Sequence, residues 1–157
     1  MNKTKTIIRR IVLCVSVLAL AACSGLRPSD QPIGTTPDGT SKADSAAEYQ
    51  IALAHRIVQV NSTKVFIGRP QALLRSVVVV RYVVDANGSL VRSEIMRSNR
   101  DRVTESTALA SVRATAPFPK PAPALLRNGR VEVIETWLFN KDGRFQLRTI
   151  AEPQMDQ

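Results

Sequence analysis

The sequence predicts an α+β domain behind a disordered tether. Its antiparallel sheet of three to four strands packs against two helices, in the order α-β-β-α-β-β. Three observations carry this reading. Residues 75–84 hold seven β-branched or aromatic side chains in ten and no Gly or Pro, a composition that suits a pleated, half-buried surface. Asp85-Ala86-Asn87-Gly88 and Asn140-Lys141-Asp142-Gly143 are hairpin reversals, because Asn and Gly tolerate the positive φ that tight turns need. Two stretches of helical periodicity, residues 44–60 and 101–115, lie before and between the hairpins.

The chain has 157 residues, and its first 22 read as an export leader. Lys3, Lys5, Arg9 and Arg10 precede an apolar run over residues 11–22, too short to span a bilayer, which needs about 20 residues. The run ends in Leu20-Ala21-Ala22-Cys23. Cleavage expected between Ala22 and Cys23 would discard Cys14, and residues 24–157 hold no cysteine, so no disulfide or cysteine metal site is expected within them. It also removes four basic residues and no acidic ones, so the net charge of +9 falls to +5. Export argues against a nucleic-acid partner for this basic chain.

Residues 23–43 are rich in Ser, Thr, Gly, Pro and Asp. They cannot bury enough surface to offset chain entropy, so they are expected to form a flexible tether. The domain proper is expected over residues 44–151, with a frayed tail at 152–157.

In the first helix Asp44 is the expected N-cap, and Ala47, Ile51, Ala54 and Val58 fall on one face, widened by Leu53 and Ile57. His55, the one histidine, sits beside that face at helical spacing, which suits a boundary residue better than a metal ligand. Residues 65–75 show no regular period, and Gly68-Arg69-Pro70 is a turn. In the first strand Val78, Val80, Tyr82 and Val84 share one face, and Val77, Val79, Arg81 and Val83 share the other. The second strand is expected over residues 89–97. In the second helix Ala108, Leu109, Val112 and Ala116 form an apolar stripe, and Pro117-Phe118-Pro119 stops it. The following Pro-rich loop is expected to cross the sheet end and tuck Phe118 into the core. The third strand is expected over Arg130–Phe139 and the fourth over residues 144–150.

Several of these motifs together resemble known families. Leu20, Ala21, Ala22 and Cys23 resemble the bacterial lipobox. The resemblance implies lipidation of Cys23, and Ser24 after it implies the periplasmic leaflet of the outer membrane. Val80-Arg81-Tyr82-Val83-Val84-Asp85-Ala86-Asn87-Gly88 resembles the first hairpin of the TonB C-terminal domain. The Leu109, Val112 and Arg113 helix, the Pro117-Phe118-Pro119 exit and the closing Leu138-Phe139 follow in that family's order. Thr104, where the family carries a large apolar residue, and Ser98-Asn99-Arg100 depart from it. The chain also carries a lipobox and a short soft tether where the family has a membrane helix and a long Pro-rich linker.

The TonB resemblance implies a non-enzymatic module that adds a partner's extended segment to a sheet edge. The third strand is the expected receiving edge, with Val131, Val133, Glu135 and Trp137 alternating toward one face. Trp137 reads more readily as core than as a partner contact, and if the closing hairpin covers this strand the open edge becomes residues 144–150. The expected partner is another cell-envelope protein, and an open edge also allows a homodimer. Two alternatives stand beside it: binding of peptidoglycan or another anionic envelope polymer through Arg92, Arg97, Arg100, Arg102 and Arg113, and a TonB-type energy-transduction role in transport. An enzyme is not expected. The sequence shows no Ser/His/Asp or Cys/His set and no phosphate-binding Gly loop, so no cofactor or metal is expected, and Glu132 and Glu135 differ in strand parity.

Overall fold

A computed structural model describes residues 33–155. The leader, the Ala22–Cys23 junction and the first part of the tether lie outside the described residues. Helix α1 (Ala46–Val60) is followed by β1 (Ser76–Asp85), β2 (Leu90–Arg97), α2 (Arg102–Thr115), β3 (Arg130–Phe139) and β4 (Phe145–Leu147). The four strands form one antiparallel sheet in the order β2-β1-β3-β4. The α+β class and the order α-β-β-α-β-β are as the sequence predicts.

Both helices cover one face, α2 over β1 and β2, α1 over β3 and β4. Tyr49, Leu53 and Ile57 of α1 and Ala108 and Val112 of α2 meet Val78, Val80, Tyr82, Val84, Trp137 and Phe139 in one core. Strands β1 and β3 pair without a shift from Ser76↔Phe139 to Asp85↔Arg130. Pairing between β1 and β2 is broken by shifts at Val79/Val80 and Val83/Val84.

The N-cap of α1 is Ser45, not Asp44. Ser45 and Glu48 have capping-box spacing: Ser45 Oγ accepts from Glu48 N–H at 3.2 Å, and Glu48 Oε2 accepts from Asp44 N–H at 2.8 Å. The buried face is also turned from the expected one. Tyr49, Ala52, Leu53, Ala54 and Ile57 are buried, while Ala47 is exposed and Ile51 and Val58 are half-buried. Tyr49 sets the turn: its ring enters the core and its hydroxyl donates to Pro119 C=O at 2.7 Å.

Helix α2 starts at Asp101, whose Oδ1 accepts from Val103 and Thr104 N–H and whose Oδ2 pairs with Arg75 Nε at 2.8 Å. Thr104 is buried with Oγ1 2.9 Å from Ser76 Oγ, and Ser76 donates to Asn99 Oδ1 at 2.6 Å. A hydroxyl seam thus fills the position where a large apolar residue is usual. At the other end of α2, Trp137 Nε1 donates to Ser111 Oγ at 3.0 Å, and Asn61 Nδ2 reaches Ser111 C=O and Thr115 Oγ1.

Both ends of the described stretch are held by hydrogen bonds that composition does not announce. Within the stretch expected as tether, Thr35 bridges Ser41 and Thr40 bridges Lys120. Ser41 N–H donates to Lys120 C=O at 2.8 Å and Ala43 is buried. The Thr36 and Thr40 hydroxyls hold the exposed Asp38 carboxylate and draw its pKa down to about 2. At the C-terminus, which was expected to fray from 152, Arg69 donates to Pro153 and Gln154 C=O at 2.9 Å each. Strand β4 is shorter than the expected 144–150, since Ile150 N–H turns back to Leu147 C=O.

The Pro-rich loop behaves as predicted. Phe118 is buried and stacks on Tyr82 with ring centroids 5.6 Å apart. Its N–H donates to Gly88 C=O at 2.8 Å, and Gly88 has φ +82°. A Cβ at Gly88 would lie 2.2 Å from Phe118 O. Both the positive φ and this backbone clash oppose a side chain there. Gly88→Ala is expected to lower unfolding free energy by about 2–4 kcal/mol, measured as a shift of the urea midpoint with an unchanged m-value.

Candidate functional site: the partly open edge of β3

Strand β4 pairs only with Trp137–Phe139 of β3. Over Val131, Glu132, Val133, Ile134 and Glu135 the sole strand neighbour among the described residues is β1. In an antiparallel ladder successive residues send their backbone groups to opposite sides. Phe139 C=O accepts from Arg75 N–H on the β1 side, and Thr136 C=O accepts from Arg148 N–H on the β4 side. Glu132 and Ile134 share the parity of Thr136, so their N–H and C=O groups face the open side.

The opening is bounded at both ends. Arg130 and Arg127 exchange N–H···O=C bonds at 3.1 and 2.8 Å, which uses the groups before Glu132. At the far end Gln50 Nε2 donates to Ile134 C=O at 2.9 Å and lies 2.9 Å from Thr149 Oγ1. Among the described residues this leaves Glu132 N–H and C=O and Ile134 N–H without a backbone or side-chain partner. A groove runs beside them, lined by Ala46, Ala47 and Gln50 of α1. Ala46 and Ala47 are exposed, and their small side chains leave the groove open.

The four residues expected to receive a partner sit elsewhere. Val131, Val133, Glu135 and Trp137 are 7%, 5%, 2% and 0% exposed and face the helices. Their backbone groups point to β1, so they offer a partner neither side chain nor hydrogen bond. The available groups belong to the interleaved residues. Glu132 lies on the outer sheet face, 3.5 Å from Arg81 Nε and 3.6 Å from Arg92 Nη2, and Ile134 is 45% exposed there. Strand parity was the signal that separates the two sets. The alternative edge at residues 144–150 is closed. Phe66 N–H donates to Phe145 C=O at 2.9 Å, and the Gln146 side chain donates to Phe66 and Gly68 C=O.

Glu135 is buried beyond the opening, beside the turn that follows β4. Its Oε1 accepts from Thr136 N–H at 2.7 Å and Thr149 N–H at 3.4 Å. Its Oε2 and the neighbouring Tyr82 hydroxyl are buried without a hydrogen-bond partner among the described residues. Burial raises the Glu135 pKa above the usual carboxyl range, against the hydrogen bonds from Thr149 and Thr136 that lower it. Glu132 and Glu135 face opposite sides of the sheet, so they do not form a carboxylate pair. His55 is half-buried on α1 beside Ile33 and Pro117–Pro119. No cluster of three His, Cys, Asp or Glu is placed for a metal ion among the described residues. No described helix is long and apolar enough to cross a membrane. The five arginines considered for polymer binding are spread over β2 (Arg92, Arg97), the following loop (Arg100) and α2 (Arg102, Arg113).

The chain is similar to Protein TonB of Pseudomonas putida, with 32% identity over 65 residues. The match spans 41% of this chain and 27% of that protein, about a quarter of the relative's length. No family model matches the chain. No solved structure matches it. The likeness supports a TonB-like C-terminal domain.

The raised Glu135 pKa has a consequence for stability. A carboxyl whose folded pKa exceeds its unfolded one contributes stability in full below the unfolded value and loses it as pH rises through the folded value. Urea midpoints are therefore expected to fall as pH is raised from about 4 through the folded pKa. Glu135→Gln, which keeps an acceptor for Thr136 and Thr149 N–H, is expected to flatten that segment of the profile.

Proposed function

We propose that this chain is a lipid-anchored, non-enzymatic envelope adaptor that captures an extended segment of another envelope protein on the open stretch of β3. The observation that carries the reading is the missing strand neighbour beside Glu132 and Ile134. Unpaired edge groups give affinity to an added strand, and alternate side chains give selectivity. The groove along α1 would receive the inward side chains of that strand. The likeness to TonB supports an envelope protein with a TonB-like domain.

The anchor belongs to the same reading. Leu20-Ala21-Ala22-Cys23 supports lipidation of Cys23, and Ser24 supports the periplasmic face of the outer membrane. Ile33, where the described residues begin, lies ten chain steps after Cys23. Such a link reaches at most about 33–36 Å, so the open edge would work close to its own membrane. Mass spectrometry of the mature N-terminal peptide is expected to find an acylated Cys23. An unmodified cysteine would remove the anchor.

A photoreactive residue at Ala47, beside the groove, tests the capture. It is expected to crosslink one envelope protein in cells. Ile134→Pro removes the one outward N–H of that residue, which an edge tolerates, and should cut the crosslink at least about tenfold while the fold persists by circular dichroism. Capture that survives Ile134→Pro overturns the reading. Capture that vanishes above about 0.3 M salt points instead to an anionic envelope polymer.

A further inference from the structure

The sheet has a second margin, and its chemistry is different. Strand β2 pairs with β1 on one side and, among the described residues, with no strand on the other. Arg92 and Glu94 lie opposite Val83 and Arg81, which share the parity of Asp85, whose N–H reaches back to Ser89 C=O at 3.0 Å. Their backbone groups are therefore spent on β1. Ser93 and Ile95 send N–H and C=O outward. The register shifts beside Val91 and Met96 confine this regular margin to residues 92–95.

We propose that this margin binds a second copy of the chain, strand β2 against strand β2, on a two-fold axis through Ser93. The proposal is independent of the β3 groove and adds a homodimeric assembly to the adaptor. Self-pairing about an axis requires that each residue meet the one equally far on the other side of it. An axis at Arg92 would oppose Arg92 to itself, and one at Glu94 would oppose Glu94 to itself, both like-charge contacts. An axis at Ile95 pairs Glu94 with Met96. Only an axis at Ser93 places Arg92 opposite Glu94 of the other copy, twice over. It also sets the outward backbone groups of Ser93 against their own equivalents, which is the bonded geometry of an antiparallel pair.

The outer face already holds half of the charge pattern. Glu132 on β3 lies 3.5 Å from Arg81 on β1, and Arg81 lies 3.4 Å from Glu94 on β2. Arg92 on β2 is 3.6 Å from Glu132. A second copy about Ser93 continues this alternation of sign across the join, from Glu94 of one copy to Arg92 of the other. The same charges would repel a partner strand set in a shifted register.

The test is sedimentation velocity on the full chain in a mild detergent, with variants compared in the same micelle. The wild type is expected to dimerise. Arg92→Glu alone and Glu94→Arg alone each create two like-charge contacts and should weaken the dimer at least about tenfold. An equimolar mixture of these two variants restores both attractive pairs and should dimerise, and so should the double variant Arg92→Glu/Glu94→Arg, which sets opposite charges against each other about Ser93 but like charges about Arg92 or Glu94. Ser93→Pro, which leaves every charge in place, should also dissociate the dimer while peptide capture at β3 persists. The proposal is overturned by a wild type that stays monomeric up to about 1 mM. It is equally overturned by a mixture that stays monomeric, or by a dimer that Ile134→Pro dissolves and Ser93→Pro does not.

Discussion

The unbroken ten-residue ladder between β1 and β3 is the constraint on which the rest of the structure depends. Placing β3 beside β1 puts two sequence-distant strands at the sheet centre and sends the first hairpin and the last to opposite margins. The pairing also aligns Val78, Val80, Tyr82 and Val84 with Trp137, Val133 and Val131 on one face, and that face must be covered. Both helices follow from this requirement. The outer face escapes cover because Arg81, Arg92, Glu94 and Glu132 meet there as cross-strand ion pairs. These pairs are partly solvated and add little stability individually, but they keep the uncovered face polar at its centre.

The parts of this fold legible in the sequence were those set by local chemistry. Val-rich β1 and the Asp-Ala-Asn-Gly turn gave the first hairpin, Asp101 gave the start of α2, and Pro117-Phe118-Pro119 gave its end. The rest depended on partners far along the chain. Residues 35–41 look like solvated tether by composition, yet they are held by backbone bonds to Lys120, which no local pattern announces. Tyr49 was overlooked as a core residue because its hydroxyl needed an outlet, supplied by Pro119 C=O seventy residues away. The length of β4 is set by the turn that returns Ile150 N–H to Leu147 C=O, beside which the buried Glu135 side chain accepts from Thr149 N–H.

The candidate edge was legible as a strand but not as a set of residues. Alternation identifies which side chains face the core, and Val131, Val133, Glu135 and Trp137 were read correctly as one face. The same alternation fixes which backbone groups face each neighbour, but only once the neighbour is known. With β1 beside β3, inward side chains and β1-directed backbone groups belong to the same residues. Glu132 and Ile134 were therefore the edge residues, and the topology alone could identify them.

The size of the opening bears on how such an adaptor could work. Glu132 N–H and C=O and Ile134 N–H offer three hydrogen bonds, and displacement of Gln50 from Ile134 C=O adds a fourth. At a net value of about 1 kcal/mol each, the backbone supplies about 3–4 kcal/mol, which corresponds to millimolar binding or weaker. Side chains against Ala46 and Ala47 would add to this, but the groove is short. An edge this small becomes effective when the partner is already near, because confinement by a short link raises effective concentration into the millimolar range. A second copy joined through β2 would place two such grooves on one sheet and raise it again. In the proposed reading the limited backbone of β3 and a short link from an acylated Cys23 would bear on one another: the weaker the edge, the more its capture would depend on being held close to a membrane-associated partner.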